Sequence, residues 1–276
     1  MLETVTLVDP DADSRVSIAP TRGAIATRFS VRGRPVFYLD EDTLRDPTKN
    51  VRGGNPVLFP SPGPLPGDRF ARAGRSGSMK QHGFARQLPW EVVSSHEREA
   101  TLRLASDDVT RAQFPWDFVL ELRYALAGAR LTIDARVDNP GTEPLPFALG
   151  YHPYFFVPDA DKRHARIPTA ATRAWDNVAK TECGVSGPID LTLPEVDLHL
   201  VDHGASEAVL ELPGGRSIVL SGSPELRRWV IWTVAGKDYV CLEPWTAPAG
   251  ALATGDGLLE VAPGASRTIT LAIEST

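Results

Sequence analysis

Cysteine is nearly missing from this chain. Cys183 and Cys241 are its only two in 276 residues, far apart and not in a C-x-x-C arrangement, which excludes a disulfide framework and a zinc knuckle and leaves two buried, inert thiols. Long apolar runs are missing as well: no stretch approaches the roughly 20 residues that span a bilayer as a helix. The segment Met1 to Asp13 lacks the basic opening and apolar core of a secretory signal, so a cytoplasmic address is the expectation. There is no excess of basic charge. A net charge of -6 argues against nucleic acid or an anionic membrane as partner, because both require a basic face, and leaves a small neutral ligand as the better fit. Sustained helical periodicity is absent too, since no window of helical length keeps apolar residues at i, i+3, i+4 and i+7. Finally, no segment reads as a linker or an internal repeat. The 24 prolines and 23 glycines are spread along the whole length, so residues 1–276 read as one domain with many turns, a size that large β-sandwiches reach.

What is present is alternation. From Asp117 to Leu126, Phe118, Leu120, Leu122, Tyr124 and Leu126 share one face, while Asp117, Glu121 and Arg123 lie on the other, the pattern of a half-buried strand. The turn Ala127-Gly128-Ala129 leads into Leu131, Ile133, Ala135 and Val137, which predicts an antiparallel hairpin. Trp229 to Val234 and Asp238 to Glu243 form a second hairpin around Gly236. Shorter strands are expected at Ala100 to Ala105, Ser217 to Ser221 and Arg267 to Ile273. The fold class is therefore all-β and antiparallel, with few short helices. Asp40 to Arg86 departs from this, being crowded with Gly, Pro, Arg and Ser. Its length without alternation points to disorder or a functional loop system, and Val57, Leu58, Phe59 and Phe70 favour an ordered loop packed on the sheets.

Three segments carry candidate chemistry. Lys80-Gln81-His82-Gly83-Phe84-Ala85-Arg86, with Trp90 close behind, joins His and Arg to a glycine that permits close approach; the plain alternative is a surface turn. In Phe147 to Phe156, a strand would put His152 on one face with Ala148 and Gly150, side chains small enough to leave room for a ligand; the alternative is a core histidine bonded to a carbonyl. In Tyr239 to Pro248, Glu243 shares a face with Tyr239 and Cys241 in a strand of buried character. A carboxylate there is costly unless it is paired or used, Pro244 holds its backbone extended, and Trp245 offers an aromatic face; the alternative is a rim carboxylate with Trp245 covering the core. In a fourth segment, Pro194 to Leu200, Asp197 and His199 either line a site or face water, and water is the expected partner of His199.

Taken in order, Arg52-Gly53-Gly54-Asn55-Pro56 with Leu58-Phe59-Pro60, His82-Gly83-Phe84-Ala85-Arg86 before Trp90, His152-Pro153-Tyr154-Phe155 and Glu243-Pro244-Trp245 resemble the aldose 1-epimerase family across most of the chain. The resemblance implies a galactose-mutarotase-like antiparallel β-supersandwich with a cleft across one sheet. It implies that Glu243 is the catalytic base and His152 the catalytic acid. His82 matches a substrate-binding histidine, Arg52 the arginine of the Arg-Gly-Gly segment, and Asp197, the loosest match, an aspartate that binds sugar hydroxyls. Arg86 and Trp245 complete the expected sugar contacts. No cofactor and no metal is implied, the partner is a small-molecule sugar, and the assembly is a monomer or homodimer.

Mutarotation needs a proton taken from the C1 hydroxyl and another delivered to the ring oxygen, which an acid and a base on neighbouring strands can supply. Desolvation near Trp245 is expected to raise the pKa of Glu243, and a nearby carboxylate or a hydrogen-bonded tautomer to favour a proton on His152. Free aldohexoses are the expected substrates, because Phe59 to Gly63 and Glu243 to Pro248 look like that branch. Arg52 and Arg86 resemble instead a hexose-6-phosphate mutarotase, in which two arginines clamp a phosphate. A non-catalytic sugar-binding protein on the same fold is another reading, and a glycoside hydrolase or lyase using Glu243 with Asp197 a further one.

Overall fold

The computed structural model describes residues 2–276. Its strands are antiparallel and fall mainly into two large sheets. The seven-stranded sheet runs in the order Glu207–Leu212, Arg216–Gly222, Ser266–Ser275, Arg130–Asp138, Val119–Ala127, Glu99–Ala105 and Glu91–Ser95. The alternation expected from Phe118 onward is realised here. Val119–Ala127 pairs with Arg130–Asp138 without a register slip, around a Gly128 with φ 61°. A four-stranded sheet from Val5–Asp9 to Arg34–Pro35 joins the same apolar core.

The eight-stranded sheet carries the site. Its strands in chain order are β1 (Val57–Leu58), β2 (Gly150–Tyr151), β3 (Tyr154–Phe156), β4 (Arg173–Asp176), β5 (Thr181–Gly184), β6 (Glu195–Leu200), β7 (Arg228–Val234) and β8 (Tyr239–Trp245). In space they run β5-β4-β6-β7-β8-β2-β1, and β3 also lies along β8. Period-two geometry divides the two faces. Trp229, Ile231, Val240 and Leu242 enter the core shared with Leu120, Leu122, Ile133 and Leu271 of the other large sheet. Arg228, Val230, Trp232, Cys241, Glu243 and Trp245 therefore point to the opposite face. Helices are minor, as the periodicity predicts: among the described residues the α-helices are Glu41–Arg45, Asp108–Gln113 and Ala251–Thr254.

Two expectations need correcting. The stretch from Asp40 to Arg86 is not without regular structure, since it holds the helix Glu41–Arg45, strand β1 and the hairpin Arg69–Arg72/Arg75–Ser78. Alternation missed that hairpin because its burial is slight and its residues are mostly Arg, Ser and Gly. Nor is Phe147 to Phe156 one even strand. Gly150 pairs with Trp245, and Tyr154 with Cys241, so β2 and β3 follow one register along β8 and break at His152-Pro153. Pro153 has no N–H to give to the ladder, and the His152 N–H donates instead to the Pro56 carbonyl, 3.0 Å away.

Candidate active site

The common register of β2 and β3 places His152 directly across from Glu243. The imidazole Nε2 lies 3.3 Å from Glu243 Oε1, and both side chains are almost fully buried. Glu243 Oε2 accepts from the Trp245 indole N–H at 3.2 Å. Burial, reinforced by the charge of Asp197, pushes Glu243 well above the ordinary carboxylate range, against the opposing effect of the Trp245 hydrogen bond. His152 moves the other way. Burial and the nearby Arg86 guanidinium bring it down to about 3, which corrects the expectation that a neighbouring carboxylate keeps it protonated. Desolvation disfavours charge on both members, which favours one proton on the pair, on Glu243 beside a neutral His152.

His152 stacks on Tyr154, with ring centroids 4.7 Å apart. His82 faces it edge-on at 5.6 Å and meets Trp245 at 5.8 Å. The Gly63 N–H donates to His82 Nδ1 at 3.0 Å, so the neutral ring carries its proton on Nε2. Burial, then Arg86, keeps His82 well below the usual imidazole range. This turn depends on Gly83. Its φ is +68°, and a Cβ there would lie 2.2 Å from the Phe59 carbonyl oxygen. The space expected beside Gly150 is occupied by protein, because a Cβ at that position would meet Trp245 Cδ1 at 2.7 Å. The small residue seats the indole, and the indole in turn reaches Glu243.

These groups border a cleft of about 310 Å³, and every residue singled out from the sequence lines it: Glu243, His152, His82, Arg52, Asp197, Arg86 and Trp245. Arg52 reaches it from the Asp40–Arg86 loops and sits over the Trp232 ring at 5.4 Å. Arg86 donates to the Gln81 carbonyl at 3.1 Å, and burial lowers its pKa. Asp197 is already engaged: Oδ2 accepts from Asn177 at 2.6 Å and Oδ1 lies 3.2 Å from His199 Nε2. Burial acts against its charge, but the hydrogen bonds from His199 and Asn177 prevail and hold it below the ordinary range. His199, expected to face water, is half-buried, lines the cleft and meets Trp245 edge-on at 5.2 Å. Asn177, Gln81, Tyr154 and Trp232 also line it. Sequence reasoning missed Asn177 and Gln81, and only the polar alternation of β6 pointed towards His199.

The His152, Cys241 and Glu243 donor atoms lie within 4.8 Å of one another, close enough to hold a metal ion. The donor chemistry fits poorly, because burial and Glu243 push the Cys241 thiol far above its usual range and away from the thiolate a metal requires.

The model of the aldose 1-epimerase family matches residues 2–274. The chain belongs to the aldose 1-epimerase family. The Slr1438 protein of Synechocystis sp. PCC 6803 is similar over its crystal structure at 39% identity, with a TM-score of 0.96 covering 100% of this chain and 96% of that one. The fold also matches an Escherichia coli K12 protein provisionally described as an aldose 1-epimerase, with a TM-score of 0.83 at 21% identity over 99% of each chain. A Cenchrus ciliaris protein bearing the provisional name glucose-6-phosphate 1-epimerase is 25% identical over 251 residues, 80% of this chain and 72% of that protein. The antiparallel β architecture is thus that of the galactose-mutarotase-like members of the family.

Proposed function

We propose that this member of the aldose 1-epimerase family interconverts the α and β anomers of free aldohexoses, with Glu243 as base and His152 as acid. The observation that carries this reading is the buried Glu243–His152 contact of 3.3 Å on the wall of a sugar-sized cleft. Before reaction the shared proton moves to His152 Nε2, leaving Glu243 as carboxylate. Glu243 then takes the proton from the C1 hydroxyl, the C1–O bond to the ring oxygen breaks as the C1 carbonyl forms, and the ring oxygen takes the proton of His152. Rotation about C1–C2 and reversal of both transfers closes the other anomer. Each group needs to contribute about 10²–10⁴-fold, and His82, Arg52 and Asp197 hold hydroxyls in position.

A hexose 6-phosphate is the second reading, favoured by Arg52 and Arg86. Both line the cleft, and neither has a carboxylate partner among the described residues. Anomer exchange of glucose, galactose and glucose 6-phosphate, followed by magnetisation-transfer spectroscopy, decides between them. Turnover of the free sugars, lost in Glu243→Gln, is the expected result, whereas turnover of the phosphate alone selects the second reading. Exchange no faster than the spontaneous rate with every sugar would leave a sugar-binding protein.

A further inference from the structure

We propose that Lys162, buried outside the cleft, is a positioning residue that fixes the register of β3 on β8 and so holds His152 against Glu243. This rests on the anomerase reading of the Glu243–His152 pair and adds the group that keeps the pair in line.

Strand β3 is too short to fix its own place. It has 3 residues, Tyr154–Phe156, and Pro153 separates it from β2. Its Tyr154 and Phe156 N–H groups donate to the Gly54 and Val36 carbonyls instead of to β8, so few ladder bonds tie it to the strand that carries Glu243. Register is weakly specified in such a strand, and a slip of one residue turns every side chain to the other face. Yet the pairing of Tyr154 with Cys241 is what leaves His152 opposite Glu243. The register needs a second anchor.

That anchor lies about 17 Å from Glu243 along β8, at the turn of residues 234–238 that joins β7 to β8. The 3₁₀ helix Asp159–His164 follows β3 closely and brings Lys162 onto this turn. The lysine Nζ donates to the Val234 carbonyl at 2.7 Å and lies 3.0 Å from Asp159 Oδ1. Asp238 completes the clasp, since its Oδ1 accepts from the Asp159 N–H at 2.9 Å and its carbonyl from the Val157 N–H at 3.1 Å. The segment after β3 thus grips the turn that begins β8. Lys162 does so from inside the protein, at 1% exposure. Burying a lysine has a desolvation cost that an apolar residue of similar length avoids, and fixing a register is the best-attested use of such a buried group.

Packed rings give a second route to the site. Lys162 Nζ lies 5.9 Å from the centre of the Tyr239 ring, Tyr239 meets Tyr154 at 5.0 Å, and Tyr154 stacks on His152 at 4.7 Å. Movement of the clasp is therefore felt at the imidazole through side chains as well as through the strand.

Lys162→Met keeps the apolar stem and removes the amino group, while Asp159→Asn weakens the clasp at its exposed end, where replacement spares the core. Both are to be compared with wild type in anomer exchange of glucose, galactose and glucose 6-phosphate, and in the titration of His152 followed by imidazole NMR on the folded protein. Lys162→Met is expected to lower kcat about tenfold with KM nearly unchanged. It should also move the His152 titration from about 3 towards the usual 6.5, because an imidazole out of register leaves its buried seat. Asp159→Asn should give smaller changes of the same kind, and it decides the matter if Lys162→Met does not fold. Variants that unfold more easily but keep the wild-type kcat or the wild-type His152 titration overturn the proposal and leave Lys162 a structural group; a loss confined to KM does the same. If wild type exchanges no sugar faster than the spontaneous rate, the anomerase reading falls, and the His152 titration alone decides the clasp: a titration unchanged in both variants overturns it.

Discussion

Glu243 and His152 face each other across two paired strands, Oε1 to Nε2 at 3.3 Å, because β2 and β3 keep one register along β8 even where Pro153 interrupts it. Glu243 is pushed up by burial and by Asp197, and His152 is pushed down to about 3 by burial and by Arg86. The two titrate as one unit. Its working form holds a single shared proton, so kcat/KM stays level through mildly acidic pH and falls on the alkaline side as that proton is lost. Glu243→Gln and His152→Gln should each cost about 10²–10⁴-fold in kcat, and the double variant little more than either single one. Multiplicative losses in the double variant would show that the residues act independently.

Two substitutions at the rim of the pair are expected to move the alkaline limb in opposite directions. Trp245→Phe removes the hydrogen bond that lowers the Glu243 pKa, so the limb moves to higher pH. Asp197→Asn removes a charge that raises it, so the limb moves to lower pH. The measurement is kcat/KM against pH with the spontaneous rate subtracted. Shifts of the same sign in both variants would refute this electrostatic account.

Stability should carry a matching signature. Between the usual imidazole value of 6.5 and the folded value of about 3, the unfolded chain protonates His152 and the folded chain does not. Acidification through this window therefore favours unfolding through His152, by up to ~1.4 kcal/mol per pH unit, while the raised Glu243, which binds its proton more readily in the folded chain, opposes that slope. His152→Gln removes that slope, and its loss of stability between pH 6.5 and 4.5 in urea titrations is expected to be smaller than that of wild type. Equal losses would show that the histidine is solvated in the folded protein.

The long strands were legible because alternation is a local property. Asp117 to Leu126, Trp229 to Val234 and Asp238 to Glu243 display it plainly, and the observed strands Val119–Ala127, Arg228–Val234 and Tyr239–Trp245 differ from them by one or two residues at their ends. Glu243 and His152 stood out for separate reasons, a carboxylate in a buried strand and a histidine near two small residues. Their pairing depends on the register of two segments distant in sequence, which no local pattern encodes. The same limit explains His199 and Asn177. His199 alternates like a solvent-facing residue of an outer strand, and Asn177 lies just past β4, where only the tertiary fold brings it to Asp197. Gly150 shows how a correct observation can be given the wrong cause: its size matters for seating Trp245, not for leaving open space.

The cleft draws Arg52 and Arg86 from loops before the first long hairpin, His152 from the middle of the chain and Glu243 from near its end. No contiguous fragment contains the full set. Such a site assembles only when the most distant pairings of the sheet have closed, and pairings of this kind are the slow ones. Recovery of anomer exchange during refolding should therefore trail the recovery of β-sheet signal, so that catalysis reports on the last contacts to form.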